Sequence, residues 1–466
     1  MSALGTAETP LRVAIVGAGP SGFYAADHLL KQTDVIAQVD LFDKLPTPFG
    51  LVRNGVAPDH QKIKSVTKLF DRVARKEGFR FFGNVELGVD VTVDDLRDHY
   101  HAIMYTTGAQ TDRRMGIPGE DLAGSYPATE FVAWYNGHPD YRDYEFDLTQ
   151  ERAAIIGVGN VAVDVARILC RTREELMETD IADYALEALS NSNIKEVYLM
   201  GRRGPAQAAF TTPEVKELGE MQGCDVFVLP EEAELDDLSK KSLAESSDRA
   251  TNRKVEIIQS YVDNQPTGKD KSLTLRFLVS PTELFGDDDG KVVGMRIVRN
   301  ELYATDAGTL RPRSTEHFEE MPMGLVFRSI GYRGVPLPGV PFRESWGVIW
   351  NREGRVLDPE ADEVLPGEYT AGWIKRGPSG VIGTNKPDAV ESVNYMLDDM
   401  RAGVLLSPTT PDAGAIEALI SQRKPDYFSY ADWIKLDELE LANGEAQGRP
   451  RVKFTSVDEM KAALGR

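Results

Sequence analysis

The chain has 466 residues, 41% of them hydrophobic and 27% charged, with a net charge of −21 and two cysteines. That length exceeds what one hydrophobic core supports, so two or more domains are expected. No stretch approaches the ~20 apolar residues of a membrane span, and the negative field argues against bulk binding to nucleic acid or anionic membranes.

Met1–Pro10 is short and polar and reads as a frayed tail rather than a secretory signal. The run Val13-Ala-Ile-Val16 then enters a Gly-x-Gly-x-x-Gly turn at Gly17, Ala18, Gly19, Pro20, Ser21 and Gly22, followed by a helical stretch over Phe23–Gln32. A buried parallel strand feeding a helix N-terminus through such a turn is a site for a nucleotide pyrophosphate. Val39–Asp43 reads as the next strand, and Asp43 stands 24 residues after Gly19, where an acid meets a ribose hydroxyl.

Leu45–Pro58 is a loop rich in glycine and proline. A helix is predicted from about Asp59 to Glu77, with Ile63, Val66, Phe70 and Val73 as its apolar stripe. Between Arg53 and Arg80 stand eight cations (Arg53, Lys62, Lys64, Lys68, Arg72, Arg75, Lys76, Arg80) and three acids, a local balance of +5. That contrast marks a docking surface for an acidic partner as the alternative to a plain solvated face. Phe79–Phe82, Glu86–Val91 and Ala102–Thr107 read as strands, and Arg113–Gly124 as a crossing into a second domain.

Ala153–Ile156 leads into Gly157-Val158-Gly159-Asn160-Val161-Ala162 and a helix, so the strand, turn and helix pattern repeats, with Ala162 in the third position. Two dinucleotide sites in one chain suit the passage of electrons between them. Thr172–Asn193 reads as a helical insertion and Glu196–Met200 as the following strand. That strand ends in Arg202 and Arg203 rather than an acid. Guanidinium forks match a 2′-phosphate, so NADP is expected over NAD. Val255–Ile258, Leu273–Val279 and Val292–Val298 read as strands, Asp287–Gly290 as a hairpin turn, and Asp225–Asp248 as solvated and mobile. Met323–Ile330 looks like the return crossing. Tyr369–Trp373 and a second glycine-rich loop at 376–385 then open a helix near 387–400, and three further helical segments follow. Cys170 and Cys224 form no Cys-x-x-Cys pair, which argues against a disulfide framework or dithiol centre and fits a reducing cytoplasm. No metal-ligand set is read from the chain.

Gly-Ala-Gly-Pro-Ser-Gly at 17–22, Pro-Phe-Gly-Leu-Val-Arg-Asn-Gly-Val-Ala-Pro-Asp-His at 48–60, the 157–169 turn and helix, Gly-Arg-Arg-Gly-Pro at 201–205 and Gly-Pro-Ser-Gly-Val-Ile-Gly-Thr-Asn at 377–385 together resemble adrenodoxin reductase. The closest likeness is to bacterial ferredoxin–NADP reductases of that type, and it runs in order from about residue 11 to 400. The resemblance implies an α/β fold of two Rossmann-like dinucleotide-binding domains, with an NADP domain (109–330) inserted in an FAD domain (1–108 and 331–466). It implies FAD contacts at Ala18, Asp43, Leu51, Leu87, Trp373, Gly380, Val381 and Ile382. NADP contacts are implied at Gly159, Asn160, Val161, Arg202, Arg203 and Glu214, with Gly380 near the nicotinamide and His60 and Glu214 as the polar pair beside the reacting rings. The implied activity is hydride transfer from NADPH and single-electron delivery to an acidic iron–sulfur ferredoxin. Other classes share the fold: an electron-input subunit such as that of a glutamate synthase, a flavoprotein monooxygenase, or a non-catalytic nucleotide sensor. The first carries N-terminal cysteine clusters, which this chain lacks.

Overall fold

The computed structural model describes residues 3–245 and 248–466; Met1 and Ser2 of the expected tail, and Ser246 and Ser247 of the segment read as mobile, lie outside them. The run Leu11–Val16 is buried at every position, because it is the interior of a parallel sheet flanked on both sides. It pairs with Ala37–Asp43 and with Ala102–Tyr105, and Ala37–Asp43 pairs in turn with Phe79–Gly83. Glu363–Thr370, from far along the chain, joins the same sheet beside Ala102–Tyr105, and the antiparallel strands Arg355–Asp358 and Asn351–Arg352 finish the seven-stranded sheet. Helix Pro20–Leu29 lies against helix Asn385–Ala402 on one face.

A second, six-stranded sheet is parallel throughout, in the order Ser125–Pro127, Leu325–Arg328, Arg152–Ile156, Glu196–Gly201, Lys271–Phe277, Cys224–Val228. The chain enters it and leaves it through one antiparallel pair, Thr111–Asp112 with Tyr332–Arg333. Val279–Gly286, Val292–Ala304 and Leu310–Pro322 make an antiparallel sheet appended to it, with the Asp287–Gly290 turn between the first two strands.

Several expectations are corrected. The tail is held, not frayed: Gly5 is buried, its N–H donates to Thr9, and its carbonyl accepts from Ile36 at 2.7 Å. The single helix expected over 59–77 is two, Gln61–Lys64 and Thr67–Ala74, and the break leaves Ile63 43% exposed while Phe70 and Val73 stay buried. Glu86–Val91 is a turn, closed by Gly88 N–H on the Val91 carbonyl. Val255–Ile258 lies inside helix Arg249–Ser260, where Val255 and Ile258 share the buried face three residues apart; a run of four residues, three of them apolar, carries both periods. Asp225–Asp248 holds the end of a strand and the helices Pro230–Ala233 and Asp237–Glu245, and within it Glu232 is buried against Arg276. The two cysteines, 54 residues apart, are free and buried, and the Cys224 thiol is in hydrogen-bonding reach of Cys170, which together with burial pushes its pKa far up.

Candidate functional site

The first glycine loop sits where the seven-stranded sheet meets helix Pro20–Leu29. Gly17 has φ +110°, and a Cβ there would lie 2.7 Å from the Thr106 carbonyl. A Cβ on Gly22 would overlap the Gly17 oxygen, so this glycine packs helix against strand. Around Gly19 nothing lies within 4 Å of a Cβ position, which leaves the helix N-terminus open toward a ligand. Asp43, at the end of the neighbouring strand, accepts from Ala18 N–H at 2.7 Å and Leu45 N–H at 2.9 Å. Burial pushes its carboxyl up and those two donors oppose it. Phe49 N–H donates to the Ala18 carbonyl, so Leu51, which opens the short helix Leu51–Asn54, stands beside the same loop, 39% exposed. Leu87 is buried in the turn after the Phe79–Gly83 strand. Gly372 packs on Ser21, which brings the far end of the chain to the first loop. There Trp373 stacks on Tyr332 at 5.5 Å and donates from Nε1 to the Ser379 carbonyl. Gly380 and Val381 follow in a loop and Ile382 begins the 3-10 turn Ile382–Thr384 that leads into helix Asn385–Ala402, with Val381 55% exposed.

The second loop repeats this design. A Cβ on Gly157 would overlap the Ser329 oxygen, whereas Gly159 faces open space. Asn160 and Val161 start the helix Asn160–Cys170, and Asn160 Oδ1 accepts from Thr211 N–H. Arg202 is exposed and Arg203 half-buried, and among the described residues neither pairs with a carboxylate. Burial, and then the charge of Arg202, lower the pKa of Arg203. Guanidinium groups left without a carboxylate have donors that match phosphate oxygens in geometry and charge.

Between the two units lies a cluster that includes the expected polar pair. His60 Nε2 is 3.8 Å from Glu214 Oε2, so the structure brings the two together. His60 stands at the start of helix Gln61–Lys64 with no capping bond from its side chain, so its ring is free for this cluster. Four further members were not read from the sequence. Arg167, its side chain fully buried, donates from Nε to Asp59 at 2.6 Å, from Nη2 to Asp164 at 2.6 Å, and from Nη1 to Glu214 at 3.1 Å. Its Nη2 also lies 2.8 Å from His60 Nε2, and Glu217 Oε2 lies 2.9 Å from that same nitrogen. An acid and an arginine three apart on an otherwise apolar helix, Asp164 and Arg167, were the available signal. Ligand atoms of His60, Asp164 and Glu214 fall within 4.8 Å of one another, but the Arg167 guanidinium already supplies the cation among them.

Asp164 and Asp59 are shifted in opposite directions. Burial pushes Asp164 up to about 7, with Glu214 adding to burial and Arg167 opposing it. For Asp59, burial is outweighed by Arg167 and Arg171, which hold it at about 2. Asp59 therefore contributes stability that is complete above the ordinary 3.8 and lost as pH falls toward 2. Asp164 keeps its proton in the folded state, so its contribution is complete below 3.8 and lost as pH rises through about 7. Asp164→Asn mimics the protonated form. It is expected to be more stable than the parent at pH 8, by at most about 4 kcal/mol, and to match it near pH 4; urea unfolding at the two pH values checks this.

Of the eight cations expected to form a docking surface, most are engaged. Arg53 is buried on Glu440, Lys64 on Asp180, Lys76 pairs with Asp27, Arg80 with Asp40, and Arg75 with Asp71. Lys62, Lys68 and Arg72 remain exposed and without a carboxylate partner among the described residues.

Residues 11–201 match the family model described as pyridine nucleotide-disulphide oxidoreductase. The chain is 44% identical to the NADPH-ferredoxin reductase FprA of Mycobacterium tuberculosis over 97% of its own length and 98% of that protein's. It is 42% identical to the human mitochondrial NADPH:adrenodoxin oxidoreductase, covering 99% of this chain and 93% of the other. The solved structure of M. tuberculosis FprA in complex with NADPH superposes with a TM-score of 0.91 at 43% identity, covering 98% of this chain and all of that one. No helix among the described residues is long and apolar enough to cross a membrane.

Proposed function

From the membership of this chain in the pyridine nucleotide-disulphide oxidoreductases, among the NADPH-ferredoxin and NADPH:adrenodoxin reductases, we infer its reaction. It is an FAD-dependent NADPH:ferredoxin oxidoreductase. Bound FAD supplies the step that no side chain here can, taking up a hydride and releasing its electrons singly.

In this reading residues 1–108 and 331–466 hold FAD and 109–330 hold NADP(H). The support is a sheet built from both ends of the chain and a second sheet entered and left through one strand pair. The open helix N-terminus at Gly19 receives the FAD pyrophosphate, Asp43 takes the ribose hydroxyls, and Leu51, Leu87, Trp373 and the Gly380–Ile382 loop line the flavin. Gly159, Asn160 and Val161 cradle the NADPH pyrophosphate, and Arg202 and Arg203 clamp its 2′-phosphate. His60 and Glu214 position the nicotinamide and hold a proton beside the reacting rings. The observation that carries this reading is the pair of open glycine loops with unpaired arginines behind only the second.

The test is electron transfer from NADPH to cytochrome c through the purified yellow protein. Reduction is expected to depend on an added ferredoxin. Equal rates without it, or oxygen consumed in step with NADPH and a hydroxylated product formed, would overturn the reading. An acidic ferredoxin docks, in this reading, on Lys62, Lys68 and Arg72, which lie just past His60 and have no carboxylate partner among the described residues. Charge reversal of all three to glutamate is expected to raise the KM for ferredoxin about tenfold at low salt, with NADPH-driven ferricyanide reduction unchanged; an unaltered KM removes this surface. A cytoplasmic setting is proposed on the two buried free thiols.

A further inference from the structure

The chain passes into the six-stranded unit and out of it through one strand pair, Thr111–Asp112 with Tyr332–Arg333. Two strands make a hinge, and units joined in that way move against each other unless their interface holds them. A C-terminal segment does so here. Residues 447–456 run between helices Tyr430–Ala446 and Val457–Ala463 and form no helix or strand. Their root is fixed on the seven-stranded side. Glu440, fully buried, accepts from Arg53 at 2.8 Å, from Arg451 at 2.8 Å and from Phe454 N–H at 2.9 Å, and its carbonyl accepts from Val452 N–H at 3.0 Å.

From that root two cations reach across to the six-stranded unit. The Lys453 side chain is 1% exposed. Its Nζ lies 3.3 Å from the Arg53 carbonyl on one side of the seam, and 3.1 Å from the Asn136 carbonyl and 3.5 Å from Asp180 on the other. Three N–H donors thus meet acceptors from both units. Asp180, itself buried, is also held by Lys64 at 2.6 and 2.8 Å. Arg449 donates from Nε to the Thr179 carbonyl at 3.1 Å, from Nη2 to that of Ile181 and from Nη1 to Asp183. The loop 178–182, between helices Arg173–Met177 and Asp183–Ser190, is therefore seated among three cations. Rotation of one unit against the other would strand these buried donors and acceptors without partners, which is costly.

We propose that Lys453 and Arg449 are positioning residues: they clasp the two units in the one pose that hydride transfer needs, so that the chain turns over without swinging one unit away from the other. This rests on the reductase reading above. In that reading the two nucleotides lie on different units, so the gap between the reacting rings is set by the pose of the units as well as by the loops that bind each nucleotide. Transfer needs reacting atoms about 3–3.5 Å apart, and a misplacement of about 1 Å costs about 10²-fold. Side chains outside both glycine loops thereby govern the rate.

The experiment uses the holoenzyme carrying Lys453→Met and Arg449→Met together. Methionine fills the apolar part of each site, Asp180 keeps Lys64, and Asp183 is exposed to water. The rate of flavin reduction by NADPH in stopped flow is expected to fall about tenfold or more, with the KM for NADPH within about twofold and FAD retained. Nitroxide labels on Lys195→Cys and Asp398→Cys, at exposed positions of the two units, read the pose by pulsed electron paramagnetic resonance with or without flavin; the native cysteines are buried. The parent should give one narrow distance and the variant a broad or displaced distribution. Lys453→Met alone should shift both readouts in the same direction, and it carries the test if the double variant does not fold. Arg142→Ala removes an exposed ion pair to Glu459 across the same seam and should behave as the parent. A clasp variant with the parent's reduction rate and distances overturns the proposal, as does a rate that falls only as flavin is lost. A parent with one narrow distance whose flavin NADPH does not reduce overturns the reductase reading instead.

Discussion

Replacing Arg202 and Arg203 together by alanine is expected to raise the KM for NADPH by about 10²–10⁴-fold and to leave that for NADH within about twofold. The range follows from two charge-assisted hydrogen-bonding groups at about 1.5–3 kcal/mol each. The structure argues that both face a ligand rather than the protein. They are adjacent in a turn after the Glu196–Gly201 strand, the backbone of each is held in place (Asn300 donates to the Arg202 carbonyl and Leu278 to that of Arg203), and neither guanidinium has a carboxylate partner among the described residues. Two like charges side by side, one of them half-buried, are an unfavourable arrangement that a dianionic phosphate relieves. NADH carries no such group, so it neither gains from the pair nor loses by its removal. A double lysine variant should fall between, since it keeps the charge and loses the planar fork. Steady-state kinetics with both coenzymes decide the matter, and an equal loss for both would mean that the arginines support the loop rather than read the phosphate.

Much of this site was legible in the sequence because its parts are local. A continuous apolar run entering a glycine turn identifies a parallel strand, and Asp43, Arg202 and Arg203 were found by their position at strand ends. His60 and Glu214, 154 residues apart, were paired only through the resemblance; nothing in their own surroundings joins them. Arg167 escaped for the same reason, since its partners Asp59 and Glu214 come from segments before and after it that meet only when the two sheets are assembled. The basic stretch at 53–80 misled in the opposite sense. Its charge was counted along the chain, while Glu440, Asp180, Asp27 and Asp40, supplied from elsewhere, cancel much of it. Where local rules failed on the fold they failed on short runs, as at Val255–Ile258, where four residues cannot separate a period of 2 from one of 3.6.

Gly19→Ala and Gly22→Ala, three residues apart, are expected to fail in different ways. A methyl on Gly22 would overlap the Gly17 oxygen and stand 3.0 Å from Thr106 Oγ1 and 3.2 Å from Leu41, so the protein itself must give way. That variant should be less stable than the parent even when stripped of flavin. A methyl on Gly19 meets nothing within 4 Å, and its backbone (φ −85°, ψ −174°) is one that alanine adopts freely. Stripped Gly19→Ala should therefore unfold at the same urea concentration as the parent or slightly above it, by up to about 1 kcal/mol. Yet it should lose FAD affinity by about 10²-fold or more, because the methyl occupies the space through which the pyrophosphate reaches the helix N–H groups, each worth about 1.5–3 kcal/mol to a charged oxygen. The flavin-to-protein absorbance ratio after dialysis reads the affinity, and urea unfolding reads the stability. The second loop gives the matching contrast. Gly159 (φ −97°, ψ 175°) also faces open space, so Gly159→Ala should keep its flavin and its stability and raise the KM for NADPH. Flavin lost at 19 and retained at 159 assigns the two nucleotides to the two loops. Flavin lost at 159 and retained at 19 would exchange them, and with them the role given to Arg202 and Arg203.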